Sequence, residues 1–344
     1  MAADRIGILP QVDRRKFSLG MLVAFTAACN PGGNQGRAQQ VTDTFWLQWR
    51  DRFVAPEGRV VDTGNGRISH SEGQSYGLIL AERAGDRDAF ERIAKWTQDT
   101  LGRDDMALHA WRYDPRQPNP VSDPNNATDG DIVIAWALAR AGKRWGQSAW
   151  LERAAQIRKA IRQHCVITRF ERTLLLPGIT GFAEGPQVSL NPSYFVWPAL
   201  DHFAKIDGTA MWAPVIRDAE AITRLSRFGA HQLPSDWVWM TGHDQVAPAA
   251  DKPPRFGYDA IRMPLYAVIG GRTGLVQPVA DWWRSCLAQN RAVPAWVDVI
   301  TGEEANYALS SGGAAIAARL IHTAPPPVLD TDYFSASLQM LARL

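Results

Sequence analysis

At 344 residues, with 46% hydrophobic and 21% charged residues, the chain is long enough for one large domain or two smaller ones and does not have the composition of a disordered protein. Lys and Arg number 37 against 35 Asp and Glu, a formal charge of +2, but residues 1–38 hold five of the former and two of the latter, leaving 32 and 33. The remainder is near neutral and lacks the steady positive field that nucleic-acid binding requires.

Residues 1–38 read as an export signal. Arg14, Arg15 and Lys16 precede an apolar run from Leu19 to Ala28, too short to span a bilayer, for which about 20 residues are needed. Arg14-Arg15 with Phe17 resembles a twin-arginine signal, although Asp13 and Ser18 depart from that pattern, and Gly36-Arg37-Ala38 suits a peptidase cut. Lipid attachment at Cys29 is the alternative, with Thr26 standing where a lipobox usually has Leu. The expectation is a periplasmic or secreted mature protein, residues 39–344, forming a single domain with no membrane span after signal removal. Its two cysteines, Cys165 and Cys286, could pair in an oxidising compartment, but cysteines so far apart in sequence are more often buried thiols.

Beyond residue 40, apolar residues recur at spacings of three and four in about eleven segments. These begin near residues 42, 72, 87, 129, 148, 193, 211, 257, 276, 305 and 331, and the spacing predicts a mainly α-helical fold. The segment near 72 opens with Ser71 and Gln74 in a capping-box pattern, which puts Glu72 at the first helical position, where the helix dipole favours a negative charge. Residues Ile132 to Ala141 are apolar nearly all round. In the next segment Trp150, Ala154, Ile157 and Ile161 form one stripe, with Glu152, Arg153, Arg158, Lys159 and Arg162 on the other face. That contrast predicts inner helices enclosed by an outer layer. Neither a βαβ rhythm nor a short repeat is present.

Three connections, 103–127, 167–192 and 227–256, are long for a compact domain, and such loops usually serve function. The third contains LPSDWVWM, which reads as a strand, and then TGHD as a turn. All three mix aromatic residues with Asp, Asn and Pro. With 14 Trp against 7 Tyr in the chain, Trp on polar loops suggests flat apolar platforms edged by hydrogen bonds, a surface that suits sugar rings. Trp96, Trp282 and Trp283 sit within helical segments and are expected to pack.

The chain has no H-E-x-x-H, C-x-x-C, G-x-S-x-G or P-loop, so zinc hydrolase, thiol redox, esterase and nucleotide hydrolase readings lack their minimum parts. DPNNATDGD at 123–131 looks like a calcium loop, but a twelve-residue frame around Gly130 ends at Trp136 without its bidentate Glu. What remains is a set of carboxylates at predicted helix starts: Glu72, Asp129, Asp131 and Asp259. Taken singly, each is an ordinary cap or first-turn residue. If the helices alternate around a barrel, one rim would gather them.

HSEGQSYGL at 70–78, ATDGDIVIAWAL at 127–138, VSLNPSYF at 188–195 and YDAIR at 258–262 resemble, in that order, glycoside hydrolase family 8. The likeness extends to the cellulases encoded with bacterial cellulose synthase and covers nearly all of residues 40–344. The resemblance implies an (α/α)6 barrel with an open cleft and inverting endo-hydrolysis of a β-1,4-glucan, without metal or cofactor. It also implies a link to the cellulose-synthesis machinery. Glu72 matches the family's general acid and Asp259 its general base. Asp129 matches the carboxylate that holds the sugar at the cleavage point, and Trp111, Tyr194, Tyr258 and Arg262 lie where family members contact glucan or orient the catalytic groups. Twelve helices are implied, one more than the periodicity predicts. The same scaffold acting on xylan or chitosan, and a glucan-guiding subunit that does not cut, remain as alternatives.

Inversion explains the residue types. One carboxyl protonates the leaving oxygen while another, ionised, activates water on the opposite face, with the pair roughly 6.5–9.5 Å apart. The helix dipole disfavours a proton on Glu72, so a close charge from Asp129 and desolvation under bound glucan have to outweigh it. Gly73 is expected to make room for the sugar chain. Arg262, one turn after Asp259, would favour the ionised base, or form an ordinary i, i+3 pair.

Overall fold

A computed structural model describes residues 43–344; the predicted export signal and Cys29 lie outside them. Eleven α-helices occur among the described residues: α1 (Thr44–Phe53), α2 (Ser71–Ala84), α3 (Arg87–Leu101), α4 (Thr128–Trp145), α5 (Ser148–His164), α6 (Trp197–Asp207), α7 (Thr209–Leu225), α8 (Arg262–Ile269), α9 (Gln277–Ala288), α10 (Ser311–Ile321) and α11 (Tyr333–Leu341). The fold is mainly helical, and each helix starts within six residues of its predicted position. Local chemistry sets several of these boundaries. Asp86 caps α3 by accepting from the Ala89 N–H at 3.0 Å, and Gly85, at φ 75°, ends α2 in the left-handed conformation that suits glycine.

Burial divides the helices into two kinds. α2, α4, α8, α10 and α11 are buried on nearly every side, whereas α1, α3, α5, α7 and α9 bury one face. Packing follows this division except at α6, which leaves Lys205 and Ile206 exposed yet joins the inner set. α2 packs on α4, α4 on α6, α6 on α8, α8 on α10, α10 on α11, and α11 returns to α2. Against these lie α3 on α2, α5 on α4, α7 on α6, α9 on α10 and α1 on α11. No helix lies between α10 and α11. The chain there runs through Pro325-Pro326-Pro327, which supply no amide hydrogens and cannot continue a helix, so the tally stays at eleven.

One predicted surface residue turns inward. Arg158, assigned to the outer face of α5, is buried because its guanidinium pairs with Asp207 at 2.7 Å and lies over the Phe203 ring. Trp282 and Trp283 are core residues, as expected, and Trp96 packs edge-on against Tyr113. Cys165 and Cys286 are free, buried thiols. Among the described residues, no helix is long and apolar enough to cross a membrane.

The long connections are tied down by short antiparallel strands placed ahead of the buried helices. Ser69–His70, directly before α2, pairs with Arg112–Tyr113 in the connection that leads to α4. Val188–Leu190 pairs with Val238–Gly242, which turns back into Gln245–Pro248, so the strand and turn predicted in the third connection are present. Arg255–Phe256, ahead of α8, pairs with Val297–Asp298. Loop segments from distant parts of the sequence are thereby fastened beside the N-termini of α2, α4 and α8.

Candidate active site

The start of α2 is built differently from its sequence pattern. The cap is His70, whose Nδ1 accepts from the Gly73 N–H at 2.9 Å while Nε2 faces Asp62 at 3.5 Å. Ser71 does not cap, and Gln74 does not reach back: its amide accepts from the Val60 N–H and donates to Thr97 Oγ1 at 2.8 Å. Glu72 is therefore the second helical residue rather than the first. Gly73 also has another reason than sugar access. A Cβ there would stand 2.6 Å from the Tyr333 hydroxyl oxygen and 3.2 Å from the His70 ring, so the residue fits α2 against α11.

Asp129 occupies the equivalent place in α4, where its Oδ1 accepts from the Gly130 N–H at 2.8 Å. Gly130 lets the two helix starts touch, since a Cβ would lie 2.5 Å from Ser71 Oγ and 2.9 Å from the Glu72 nitrogen. Asp131, two residues on, serves the scaffold. It is fully buried and accepts from the His109 N–H at 3.1 Å and from Asn126 Nδ2 at 3.0 Å, which anchors the 103–127 connection.

Asp259 is not in a helix. It lies in the turn that leads into α8, and Arg262, the first residue of that helix, reaches back to it. The guanidinium of Arg262 does more than close an i, i+3 pair: Nη2 meets Asp259, while Nη1 meets Glu72, Asp129 at 3.3 Å and the Tyr76 hydroxyl at 3.3 Å. Three carboxylates from distant segments converge on one cation. Side-chain exposure is 4% for Arg262, 5% for Asp129, 18% for Glu72 and 30% for Asp259, so solvent reaches mainly the last two.

The other predicted residues divide. The Tyr194 ring stands 5.7 Å from the Arg262 guanidinium carbon and completes the cluster. Trp111 is attached through backbone, its carbonyl accepting from the Ser71 N–H at 3.0 Å and its indole donating to Asp123 at 2.7 Å. Tyr258 faces elsewhere. It is 59% exposed, and its hydroxyl lies 3.0 Å from that of Tyr307, apart from the carboxylate cluster.

Two neighbours of Asp259 lie outside the residues that the sequence marks. Trp237 Nε1 donates to Asp259 Oδ2 at 3.0 Å, and Asp236 accepts from three amides of the turn that carries Asp259. The signal available was the mixture of Asp and Trp in LPSDWVWM. Trp237 lies parallel to Phe182 with centroids 6.0 Å apart, beside a cavity of about 370 Å³ also lined by Trp239, Gln187 and Lys252.

Burial dominates the electrostatics. It pushes the Asp129 carboxyl above the ordinary carboxylate range, the Gly130 amide opposing and the Asp259 charge adding to the rise. Burial raises Asp259 as well, against the pull of the Trp237 and Asn191 side chains. The same cause lowers Arg262 to about 10, which leaves it a cation at neutral pH, and holds Tyr76 and Tyr194 as neutral phenols. Asp129 and Asp259 are thereby raised toward neutrality beside a fixed positive charge. Such a pair can both give and take protons.

Carboxyls gathered on one guanidinium suit acid–base hydrolysis, and comparison with known proteins gives the class. The family described as Glycosyl hydrolases family 8 matches residues 9–344, and the chain belongs to it. It is thus a glycoside hydrolase. An endoglucanase of Cellulomonas uda is 38% identical over 274 residues, 79% of this chain and 76% of that protein. A probable endoglucanase of Novacetimonas hansenii is 36% identical over 303 residues, 86% of this chain and 88% of that one. Among solved structures, the family 8 endoglucanase Cel10 from Klebsiella pneumoniae superposes with a TM-score of 0.84 at 37% identity, covering 88% of this chain and 98% of its own.

Proposed function

We propose that this glycoside hydrolase is an inverting endo-β-1,4-glucanase that cuts cellulose-type glucan, with Glu72 as general acid and Asp259 as general base. The observation that carries the assignment is the shared guanidinium: Glu72 and Asp259 meet opposite nitrogens of Arg262, while Asp129 is held beside them. Glu72 gives its proton to the leaving glycosidic oxygen, Asp259 takes a proton from the water that attacks the anomeric carbon from the other face, and the carbon inverts. Asp129 and Tyr194 hold the sugar at the cleavage point, and Trp111 and Tyr258 contact the glucan beyond it.

The helix dipole and the Arg262 guanidinium both favour ionised Glu72 in the free site. A glucan entering between Glu72 and the guanidinium removes water and that contact, leaving Asp129 as the near charge, and both changes favour the protonated acid. The cyclic packing of α2, α4, α6, α8, α10 and α11 supports an (α/α)6 barrel whose outer layer lacks one helix at the three prolines, with the site on the rim formed by inner-helix N-termini. Likeness to bacterial endoglucanases, together with the signal-like residues 1–38, supports a periplasmic or secreted enzyme of residues 39–344 linked to cellulose synthesis.

The test is release of reducing sugar from carboxymethylcellulose, xylan and chitosan by wild type, Glu72→Gln and Asp259→Asn. Wild type should prefer the cellulose derivative, and each variant should lose on the order of a hundredfold or more in turnover while still binding glucan. Wild-type turnover in either variant would overturn the assignment, and preference for xylan or chitosan would overturn the substrate.

A further inference from the structure

Asp236 lies outside the carboxylates gathered on Arg262, yet it is built into the segment that carries Asp259. Its N–H donates to the Arg255 carbonyl at 2.6 Å, just ahead of that turn. Its Oδ1 accepts from the N–H groups of Gly257 at 3.0 Å, Asp259 at 3.2 Å and Ala260 at 2.7 Å. Three amides converging on one carboxylate oxygen form an anion-holding concavity, which fixes the turn in a single shape. Gly257 admits the carboxylate, since a Cβ there would lie 2.8 Å from Asp236 Oδ2. The next residue, Trp237, grips Asp259 at its carboxylate. Residues 236 and 237 therefore hold Asp259 by its backbone and by its side chain.

Position is only half of the effect. Asp236 is half-buried, and like charges at short range in a poorly solvated site each make the other harder to ionise. Burial and the Asp259 charge raise Asp236 against the pull of the three amides, so the two carboxyls titrate over the same range and the charge of each bears on the other. The other charged or titratable groups around Asp259 are Arg262, Tyr194 and, across the guanidinium, Glu72, Asp129 and Tyr76.

We propose that Asp236 is a positioning residue for the general base: it fixes the turn that bears Asp259 and sets a second carboxyl beside it. The inference rests on Asp259 being that base. The test compares Asp236→Asn and Asp236→Ala with wild type on carboxymethylcellulose, measuring kcat, KM, the pH profile of kcat/KM and thermal melting. Asp236→Asn keeps the accepting oxygen and loses the charge, so the acidic limb should move to lower pH by on the order of half a unit, with kcat reduced several-fold and KM within about twofold. Asp236→Ala loses both and should drop kcat by roughly a hundredfold, with Asn giving partial rescue. If the Ala variant does not fold, the limb of the Asn variant decides alone. An unmoved limb with kcat within about twofold of wild type in Asp236→Asn overturns the inference. Asp259→Asn, measured in parallel, separates the two claims: its inactivity beside a wild-type-like Asp236→Asn overturns the role of Asp236 alone, whereas activity in Asp259→Asn removes the base and the inference together.

Discussion

Gly130 of α4 stands so close to Ser71 of α2 that a Cβ at position 130 would lie 2.5 Å from the Ser71 hydroxyl oxygen. The backbone and side chain of residues 71 and 72 block every easy relaxation, so Gly130→Ala has to push the two helix starts apart and move Glu72 away from Asp129. Overpacking of this kind costs about 1–3 kcal/mol, which in a domain of this size lowers Tm by roughly 2–4 °C per kcal/mol. Turnover should fall by at least about tenfold, because small displacements of an acid–base pair are expensive. Melting and turnover of Gly130→Ala check this, and wild-type turnover would show that the helix contact does not set the geometry.

Asp129 should make the protein less stable at neutral pH than a neutral residue would. Its carboxyl is raised in the folded state by burial and by Asp259. A group whose folded pKa lies above its unfolded value contributes stability that is fully present below the unfolded pKa and is lost as pH rises through the folded one. Asp129→Asn, which retains an acceptor for the Gly130 N–H, should therefore be more stable than wild type by about 1–2 kcal/mol near pH 7.5, with the difference vanishing near about pH 4. Denaturant unfolding at the two pH values measures it. Equal stability at both, or a gain only in acid, would mean that the Arg262 cation fully compensates the buried charge.

The helices were legible because their apolar spacing is strong, and the cluster residues because they occupy blocks of recognisable pattern. What the sequence hid depends on distant partners. Ser71 and Gln74 have the right spacing for a capping box, but Gln74 is drawn to Val60 and Thr97, and His70, facing Asp62, takes the cap instead. The space beside Gly73 is filled by the Tyr333 hydroxyl, from a helix some 260 positions away in sequence. Arg158 turned inward because Asp207 of another helix receives it. Asp236 and Trp237 lie in a connection where periodicity says nothing, and their importance comes from touching a turn 20 residues and more further on.

Trp237→Phe should leave Asp259 less ionised in acid without disturbing the fold. Phe retains an aromatic face against Phe182 but cannot donate to Asp259, and that donated hydrogen bond favours the ionised carboxylate. Its loss raises the Asp259 pKa, so the acidic limb of kcat/KM should move to higher pH, opposite to the shift expected for Asp236→Asn. Turnover at the optimum should fall about tenfold or less. A pH profile on a soluble cellulose derivative reads the sign directly, and a limb moving downward would mean that the indole does not act through Asp259.

The stereochemistry of the product bears on the whole pairing. Glu72 and Asp259 reach the cluster from different inner-helix starts and meet opposite nitrogens of the same guanidinium. If Asp259 activates a water as proposed, the attack comes from the face opposite the leaving group, and a β-linked glucan gives an α-anomer first. A retaining enzyme would instead have its second carboxyl close enough to bond the sugar directly, roughly 5–5.5 Å from the acid, and would release the β-anomer. Proton NMR during the first minutes of hydrolysis, before mutarotation, distinguishes them. A β-anomer appearing first would recast Asp259 as a nucleophile and remove the water from the mechanism.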